Sequence, residues 1–215
     1  VPLTIRTPKP LVKIGPKNLL ERSIELLIKL GVDEIVLNTH YLSSQIDDFI
    51  KSKNYQISIN SIKEEILLDT GGGILNATMR FKNNPFFVVN PDTIWNKNYY
   101  EELKILEYSY LKNNKSVLLL VDKNISYDKS FKGDFNLKKN KYISRENRNQ
   151  YIFTGAQIIN RSIFEGIKEK VFSMNLVWDK MMKEKKLLGQ ESNQTFFHVN
   201  SIKVYEELNK LKFID

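Results

Sequence analysis

Short apolar runs alternate with amphipathic stretches through the first half of the chain, and this alternation limits the fold more than any other feature. Leu20, Ile24, Leu27 and Ile28 fall on one face of a helical segment that Gly31 ends, and Leu42, Ile46, Phe49 and Ile50 repeat the pattern. Between them, Glu34-Ile35-Val36-Leu37-Asn38 reads as a buried strand. Residues 55–62 alternate apolar and polar side chains, as a half-buried strand does. The spacing then predicts a helix over 73–81, a strand over 86–90, a helix over 99–111 and a strand over 116–121. Strands alternating with helices of this length indicate parallel βαβ units. The second half differs. Residues 131–144 and 150–159 read as strands with no intervening helix, and helices follow over 161–170, 175–186 and 201–211. The expected fold class is therefore α/β: one domain over residues 1–215, Rossmann-like, with a mostly parallel mixed sheet flanked by helices and an antiparallel strand pair added late. Residues 35–37, 86–89 and 117–120 are expected to be neighbouring strands of that sheet, because their apolar runs need cover on both faces.

Composition narrows the class. The chain of 215 residues can bury a sizeable core, has no cysteine, and contains no apolar run long enough to span a bilayer. Disulfides and thiolate zinc sites are excluded. No leader of the secretory type opens the sequence, so a cytoplasmic location is the expectation. The net charge is +8, but the basic residues are spread along the chain, with small clusters at Lys138-Lys139-Asn140-Lys141 and Lys183-Glu184-Lys185-Lys186. Scattered charge of this kind reads as a solvated surface, with an anionic small substrate the next reading; neither a nucleic-acid nor a membrane partner is expected.

The stretch richest in chemistry is Leu68-Asp69-Thr70-Gly71-Gly72-Gly73-Ile74, followed by Asn90-Pro91-Asp92. Consecutive glycines let backbone approach a flat ring or a phosphate with no Cβ in the way. Asp92 follows the apolar run Phe86-Phe87-Val88-Val89. A carboxylate just past a buried strand is well placed to hold Mg²⁺ in an open α/β site. Together these segments read as a pocket for a nucleotide and a metal ion. His40 is read as structural.

The order of motifs resembles the sugar-1-phosphate nucleotidyltransferases, closest to the N-acetylmuramate-1-phosphate uridylyltransferase and mannose-1-phosphate guanylyltransferase-like types. The matching stretches are Pro2-Leu3-Thr4, Thr7-Pro8-Lys9-Pro10-Leu11-Val12, Asn38-Thr39-His40-Tyr41-Leu42, Leu68-Asp69-Thr70-Gly71-Gly72-Gly73, Val89-Asn90-Pro91-Asp92, Gly133-Asp134-Phe135, Phe153-Thr154-Gly155-Ala156-Gln157 and Phe197-His198-Val199-Asn200-Ser201. The resemblance implies the nucleotide-diphospho-sugar transferase fold. It also implies attack by a sugar 1-phosphate on the α-phosphorus of a nucleoside triphosphate, giving a nucleotide-sugar and pyrophosphate. Mg²⁺ is the implied cofactor. By the same resemblance, Lys9 and Asp92 are the catalytic positions. Thr70, Gly71, Gly72, Gly73 and Asn90 hold the nucleotide, Gly133, Glu146 and Gly155 line the sugar pocket, and Asp92 with His198 stands at the metal.

Three departures from the family pattern carry expectations of their own. The family opens with a strand and a Gly-rich, basic loop that wraps the triphosphate, and neither precedes Pro2-Leu3-Thr4 here. Either these residues are a fragment of a longer protein, or the segment was removed or unresolved; a polypeptide that starts at Val1 is expected to bind triphosphate weakly and to lose a central strand. Pro91 stands where glycine is usual, fixing φ and deleting a donor. His198 stands where many members carry a second aspartate, and histidine is a poor Mg²⁺ ligand, so a one-carboxylate metal site is expected. Competing readings are a guanylyl, thymidylyl or cytidylyl enzyme with another phosphorylated acceptor, and a non-catalytic subunit that keeps the pocket without the chemistry.

Overall fold

A computed structural model describes residues 5–82 and 84–211; the Pro2-Leu3-Thr4 stretch lies outside the described residues. A 3-10 turn at Lys9–Leu11 leads into a hairpin of β1 (Lys13–Ile14) and β2 (Lys17–Asn18). Asn18 then caps α1 (Leu19–Leu30), its side-chain oxygen accepting the Glu21 N–H at 2.7 Å. Gly31 closes the helix at φ +84°, a conformation that favours glycine. The chain continues through β3 (Glu34–Thr39), α2 (Ser43–Lys53), β4 (Ser58–Lys63), α3 (Asp69–Ala77), β5 (Phe86–Val89), α4 (Tyr99–Asn113) and β6 (Ser116–Asp122). Two short strands follow, β7 (Asn136–Leu137) and β8 (Ile143–Ser144), then β9 (Tyr151–Ile159), α5 (Met174–Lys183), β10 (Leu187–Ser192) and α6 (Ile202–Lys210).

The largest sheet has four strands in the order β10-β6-β9-β5. Strand β6 is the hub of the core. Leu118 and Leu120 point to one face, among Phe135, Val177, Trp178 and Met181. Val117 and Leu119 point to the other, among Tyr99, Leu103 and Leu106 of α4. Both faces of β6 are covered, which is why its sequence is an unbroken apolar run rather than an alternating one.

The sheet is mixed, as expected, but not mostly parallel. Only β10 and β6 run parallel in it; β9 is antiparallel to both β6 and β5. The expectation that residues 35–37, 86–89 and 117–120 are neighbours is corrected on two counts. Strand β3 belongs to a separate parallel pair with β4, and β9 lies between β5 and β6. Sequential βαβ reasoning places consecutive strands side by side, whereas β9 returns from the late loops to occupy the middle of the sheet.

Other boundaries also move. Residues 131–144 hold only the two-residue strands β7 and β8. The helix expected over 161–170 is a 3-10 turn, Arg161–Phe164, with Gly166 at φ +82° just beyond it. The helix expected over 73–81 begins earlier, so that the three glycines lie inside α3 rather than before it.

Between β3 and β5 lies an apolar cleft of about 1210 Å³, walled by Ile24, Leu37, Phe87, Val89 and Ile158 among others. Among the described residues, β3 pairs only with β4 and β5 only with β9, so each has an edge without a sheet partner.

Leu118→Ala should destabilise the protein by about 2–5 kcal/mol, because it empties a fully buried site between packed layers. Leu67→Ala, at a position 67% exposed, should change stability by less than about 0.5 kcal/mol. Urea unfolding followed by circular dichroism measures both, and equal losses would contradict the packing described here.

Candidate active site

The site is assembled at the carboxyl end of β5. The backbone there is held by a bulge in β9. Between β6 and β9, Leu118 pairs with Gln157 but Leu120 pairs with Phe153, so the register shifts and β9 carries extra residues. Gly155 sits in that bulge at φ +95°. Its carbonyl accepts the Asn90 N–H at 2.8 Å, and a Cβ built on it would lie 2.8 Å from the Asn90 Cβ. The neighbouring Thr154 carbonyl accepts the Thr93 hydroxyl at 2.6 Å, and the Trp95 indole donates to the Asn90 carbonyl at 2.8 Å. These bonds fix the turn that carries Asn90, Pro91 and Asp92. Pro91 offers no donor, and none of these anchoring bonds uses position 91.

Asp92 faces two groups. The Lys9 ammonium lies 2.7 Å from its Oδ2, with the two side chains 39% and 24% exposed. The 3-10 turn at Lys9–Leu11, with Pro10 in it, delivers that ammonium. The Nε2 of His198 is 3.5 Å from the same Oδ2. His198 arrives because Thr93 and His198 form an antiparallel bridge, flanked by the Ile94 N–H on the Phe197 carbonyl and the Val199 N–H on the Asp92 carbonyl, both at 2.9 Å. Its ring lies against Phe196 and the edge of Phe131. Burial lowers the imidazole pKa from its ordinary value; the Asp92 carboxylate opposes that shift, the Lys9 ammonium adds to it, and the Asp128 carboxylate opposes it.

The second carboxylate oxygen, Asp92 Oδ1, is buried and has no hydrogen-bond partner. An anionic oxygen left without a partner fits a cation ligand. Mg²⁺ takes oxygen ligands and keeps several waters, so one carboxylate suffices. Among the described residues, no cluster of three or more His, Asp or Glu stands at metal-holding distance.

The glycines of α3 are buried for packing reasons. The N–H groups of Gly71 and Gly72 both donate to the Phe172 carbonyl, at 2.9 and 3.0 Å. A Cβ on Gly71 would meet the Phe172 ring at 2.4 Å, and one on Gly72 the Lys170 carbonyl at 2.4 Å. Gly73 instead faces the Asn38 amide and the Glu64 carboxylate, at 2.6 and 2.8 Å from a built Cβ. Thr70 and Asn90 line the cleft between the sheets, whereas Gly71 and Gly72 turn toward the 170–172 segment. The positions expected to line a sugar pocket also divide. Gly133, at φ +82°, packs on the Asn149 backbone, and the Glu146 N–H donates to Asn149 Oδ1 at 2.9 Å, so these two share one clip. Gly155 lies apart from them, under Asn90.

One group on the cleft wall, Glu64, carries no role in the sequence analysis. Glu64 is 7% exposed; its Oε1 accepts the Asn38 amide at 3.1 Å and its Oε2 the Leu68 N–H at 3.2 Å. A carboxylate directly after the alternating strand β4 was the available signal. His40 donates from Nδ1 to the Glu64 carbonyl at 2.8 Å, a structural role as expected.

The sequence pattern of the nucleotidyl transferase family matches residues 1–125. The chain belongs to that family. It is 28% identical over 206 residues to the N-acetylmuramate alpha-1-phosphate uridylyltransferase of Neisseria meningitidis serogroup B, covering 94% of this chain and 87% of that protein. The protein of the same name from Caulobacter vibrioides is 31% identical over 99 residues, which span 44% of this chain and 40% of that one. The mannose-1-phosphate guanylyltransferase catalytic subunit beta of Xenopus tropicalis is 36% identical over 97 residues, 43% of this chain and 27% of that one. Over most of its length the chain also shares the fold of HddC from Yersinia pseudotuberculosis, with a TM-score of 0.74 and 23% identity over 94% of this chain and 89% of that one.

Gly155→Ala should cost about 1–3 kcal/mol, because it combines a left-handed backbone with a collision against Asn90; thermal melting measures it. His198 supplies a pH test. Its folded pKa lies below the unfolded value of 6.5, so the unfolded chain binds the proton more readily. Its contribution to stability is whole above that unfolded value and is lost as pH falls toward the folded one. Melting temperature should therefore drop between about pH 7 and pH 5, and His198→Gln should flatten that part of the profile.

Proposed function

We propose that this member of the nucleotidyl transferase family joins a nucleoside monophosphate unit to a sugar 1-phosphate. The observation that carries the reading is the Lys9–Asp92 contact of 2.7 Å beside a buried, unpartnered Asp92 oxygen, at the carboxyl end of a sheet strand. Ligands of open α/β sheets bind at such strand ends.

In the proposed reaction an oxygen of the sugar phosphate forms a bond to the α-phosphorus of the triphosphate. The bond from that phosphorus to its bridging oxygen breaks, and pyrophosphate leaves with the electron pair. The nucleophile is already anionic, so no general base is needed, and positioning with charge neutralisation supplies the rate. Bound Mg²⁺ would neutralise charge on the phosphates, and Asp92 would hold it. Lys9 brings a fixed positive charge to the reacting phosphates. The neutral His198 ring excludes water beside Asp92 through its Phe131 and Phe196 neighbours. Thr70 and Asn90 would bound the nucleotide on the cleft side, with Gly73 behind Asn38 and Glu64, and Gly133 with Glu146 the sugar. The location proposed for this chemistry is the cytoplasm.

Within the class, N-acetylmuramate 1-phosphate with uridine triphosphate is the pair we favour, in cell-wall sugar recycling. The support is the Neisseria relative, whose similarity runs along nearly the whole chain. A mannose-1-phosphate guanylyltransferase activity is the second reading, supported by the shorter match to the Xenopus tropicalis protein.

Pyrophosphate release by the full-length protein, with UTP, GTP, dTTP and CTP each paired with several sugar 1-phosphates, tests the activity and names the pair. Asp92→Asn keeps the size and removes the charge; turnover should fall by about 10²-fold or more, on the order of 3 kcal/mol. His198→Ala should cost less. Nucleotide binding measured without metal should change little in Asp92→Asn. Wild-type turnover in that variant would remove Asp92 from the metal site, and tight nucleotide binding with no pyrophosphate release from any pair would indicate a non-catalytic subunit.

A further inference from the structure

The lysine clusters that are far apart in sequence meet at one end of the sheet. Three turns lie side by side there: the one from α4 into β6, the tip of the β7–β8 hairpin, and the one from α5 into β10. Ser116 and Leu187, which follow the first and third turns, are register partners. Tyr142 bridges to Leu188, and the Gly189 N–H donates to the Lys141 carbonyl at 2.8 Å, which joins the hairpin to the third turn. The Lys115 ammonium donates to the Tyr142 hydroxyl, which joins it to the first. Lys112 and Lys115 flank the first turn, Lys138, Lys139 and Lys141 form the hairpin tip, and Lys183, Lys185 and Lys186 form the third. The carboxylate within these turns is Glu184, and Lys186 already pairs with it at 2.8 Å. Among the described residues, Lys138, Lys139, Lys141, Lys183 and Lys185 have no carboxylate within ion-pair distance.

Part of this has a local explanation: Lys112 and Lys183 stand in the last turns of α4 and α5, where a cation complements the helix dipole. The remainder does not. Lys141 and Lys185 adopt φ +69° and +54°, a region that favours glycine or asparagine, and asparagine does stand at the equivalent point of the first turn, Asn114. Lysine at two such positions puts charge where backbone preference would put something else.

Beside the lysines, Tyr108 and Leu111 of α4 are 64% and 66% exposed. They share a face of the last helical turns with Lys112, whose ammonium lies 5.8 Å from the Tyr108 ring centre. We propose that this end of the molecule is a docking surface for an anionic phospholipid bilayer, with lysines at the headgroups and Tyr108 and Leu111 in the interfacial region. Lysine clusters combined with exposed apolar side chains supply the two signals that reversible surface binding needs. Stacking of single-stranded nucleic acid is disfavoured because the Tyr142 ring is covered by Lys115 at 4.9 Å. The surface lies at the amino ends of β6 and β10, and the candidate active site near the carboxyl ends, where the Tyr127 N–H donates to the Phe196 carbonyl at 2.9 Å. Docking would leave the site facing away from the bilayer.

Co-sedimentation of the full chain with vesicles tests the proposal. Vesicles rich in phosphatidylglycerol should bind the protein, pure phosphatidylcholine vesicles should not, and added salt should release it. The combined variant Lys138→Gln, Lys139→Gln, Lys185→Gln, Lys186→Gln should partition about 10²-fold more weakly with an unchanged melting temperature. Tyr108→Ser with Leu111→Ser should weaken partitioning while keeping its salt dependence. Absence of wild-type binding to the anionic vesicles would overturn the proposal. So would equal binding by the lysine variant, or binding to a single-stranded RNA homopolymer that the same lysine substitutions abolish while vesicles stay unbound.

Discussion

The antiparallel insertion of β9 between β5 and β6 is the constraint on which the candidate site depends. Its bulge is not a local irregularity of the sheet. The register shift leaves the Thr154 and Gly155 carbonyls free of the β6 ladder, and they are spent on Thr93 and Asn90 instead. The Thr154 hydroxyl in turn donates to the Leu119 carbonyl at 2.9 Å, satisfying a backbone acceptor that the bulge would otherwise strand. One distortion thus anchors the loop bearing Asp92 to the most buried strand of the protein. Rigid support of this kind is what a charge-positioning site requires, because small displacements weaken electrostatic contacts steeply.

Much of the fold was legible in the residues because most elements have one clear period. The α1 stripe ending at Gly31, the β6 run and the α6 boundaries are close to where patterning puts them. What patterning does not carry is lateral order. An apolar run such as Phe86-Phe87-Val88-Val89 records burial, not which strand lies beside it, and β9 shows the same buried character whether parallel or antiparallel. The long expected strand over 131–144 failed for another reason. Phe135 and Ile143 are buried around Trp178 and Leu187, so the segment looks strand-like, but its pairing stops at an isolated Phe135–Tyr151 bridge and the two-residue β7–β8 ladder.

The site was legible unevenly. Lys9 and Asp92 are 83 residues apart and meet in one ion pair, as a motif reading that groups them requires. The glycine run was visible, but its partners were not: Phe172 and Lys170 come from a segment with no distinctive composition, and they account for Gly71 and Gly72 through steric fit. Gly155 is the reverse case. A lone glycine in a strand signals a bulge or a close approach, and both hold here. Glu64 was overlooked because glutamate on a Lys-rich, Glu-rich chain looks solvated; only the fold shows it buried with both oxygens bonded.

His198 and Asp92 illustrate how neighbouring groups divide their work. A second carboxylate in place of His198 would stand near Asp92 Oδ2 and repel it, raising the charge to be offset by Lys9 and a cation. An imidazole kept neutral by burial adds no such repulsion, so among the described residues Lys9 balances the Asp92 charge. The same substitution lowers the number of anionic ligands available to a divalent ion. Under the proposed function, a metal would arrive already coordinated by substrate phosphates, with Asp92 as its protein anchor, rather than be held tightly by the protein before substrate binds. That preference follows from the charges at the site alone.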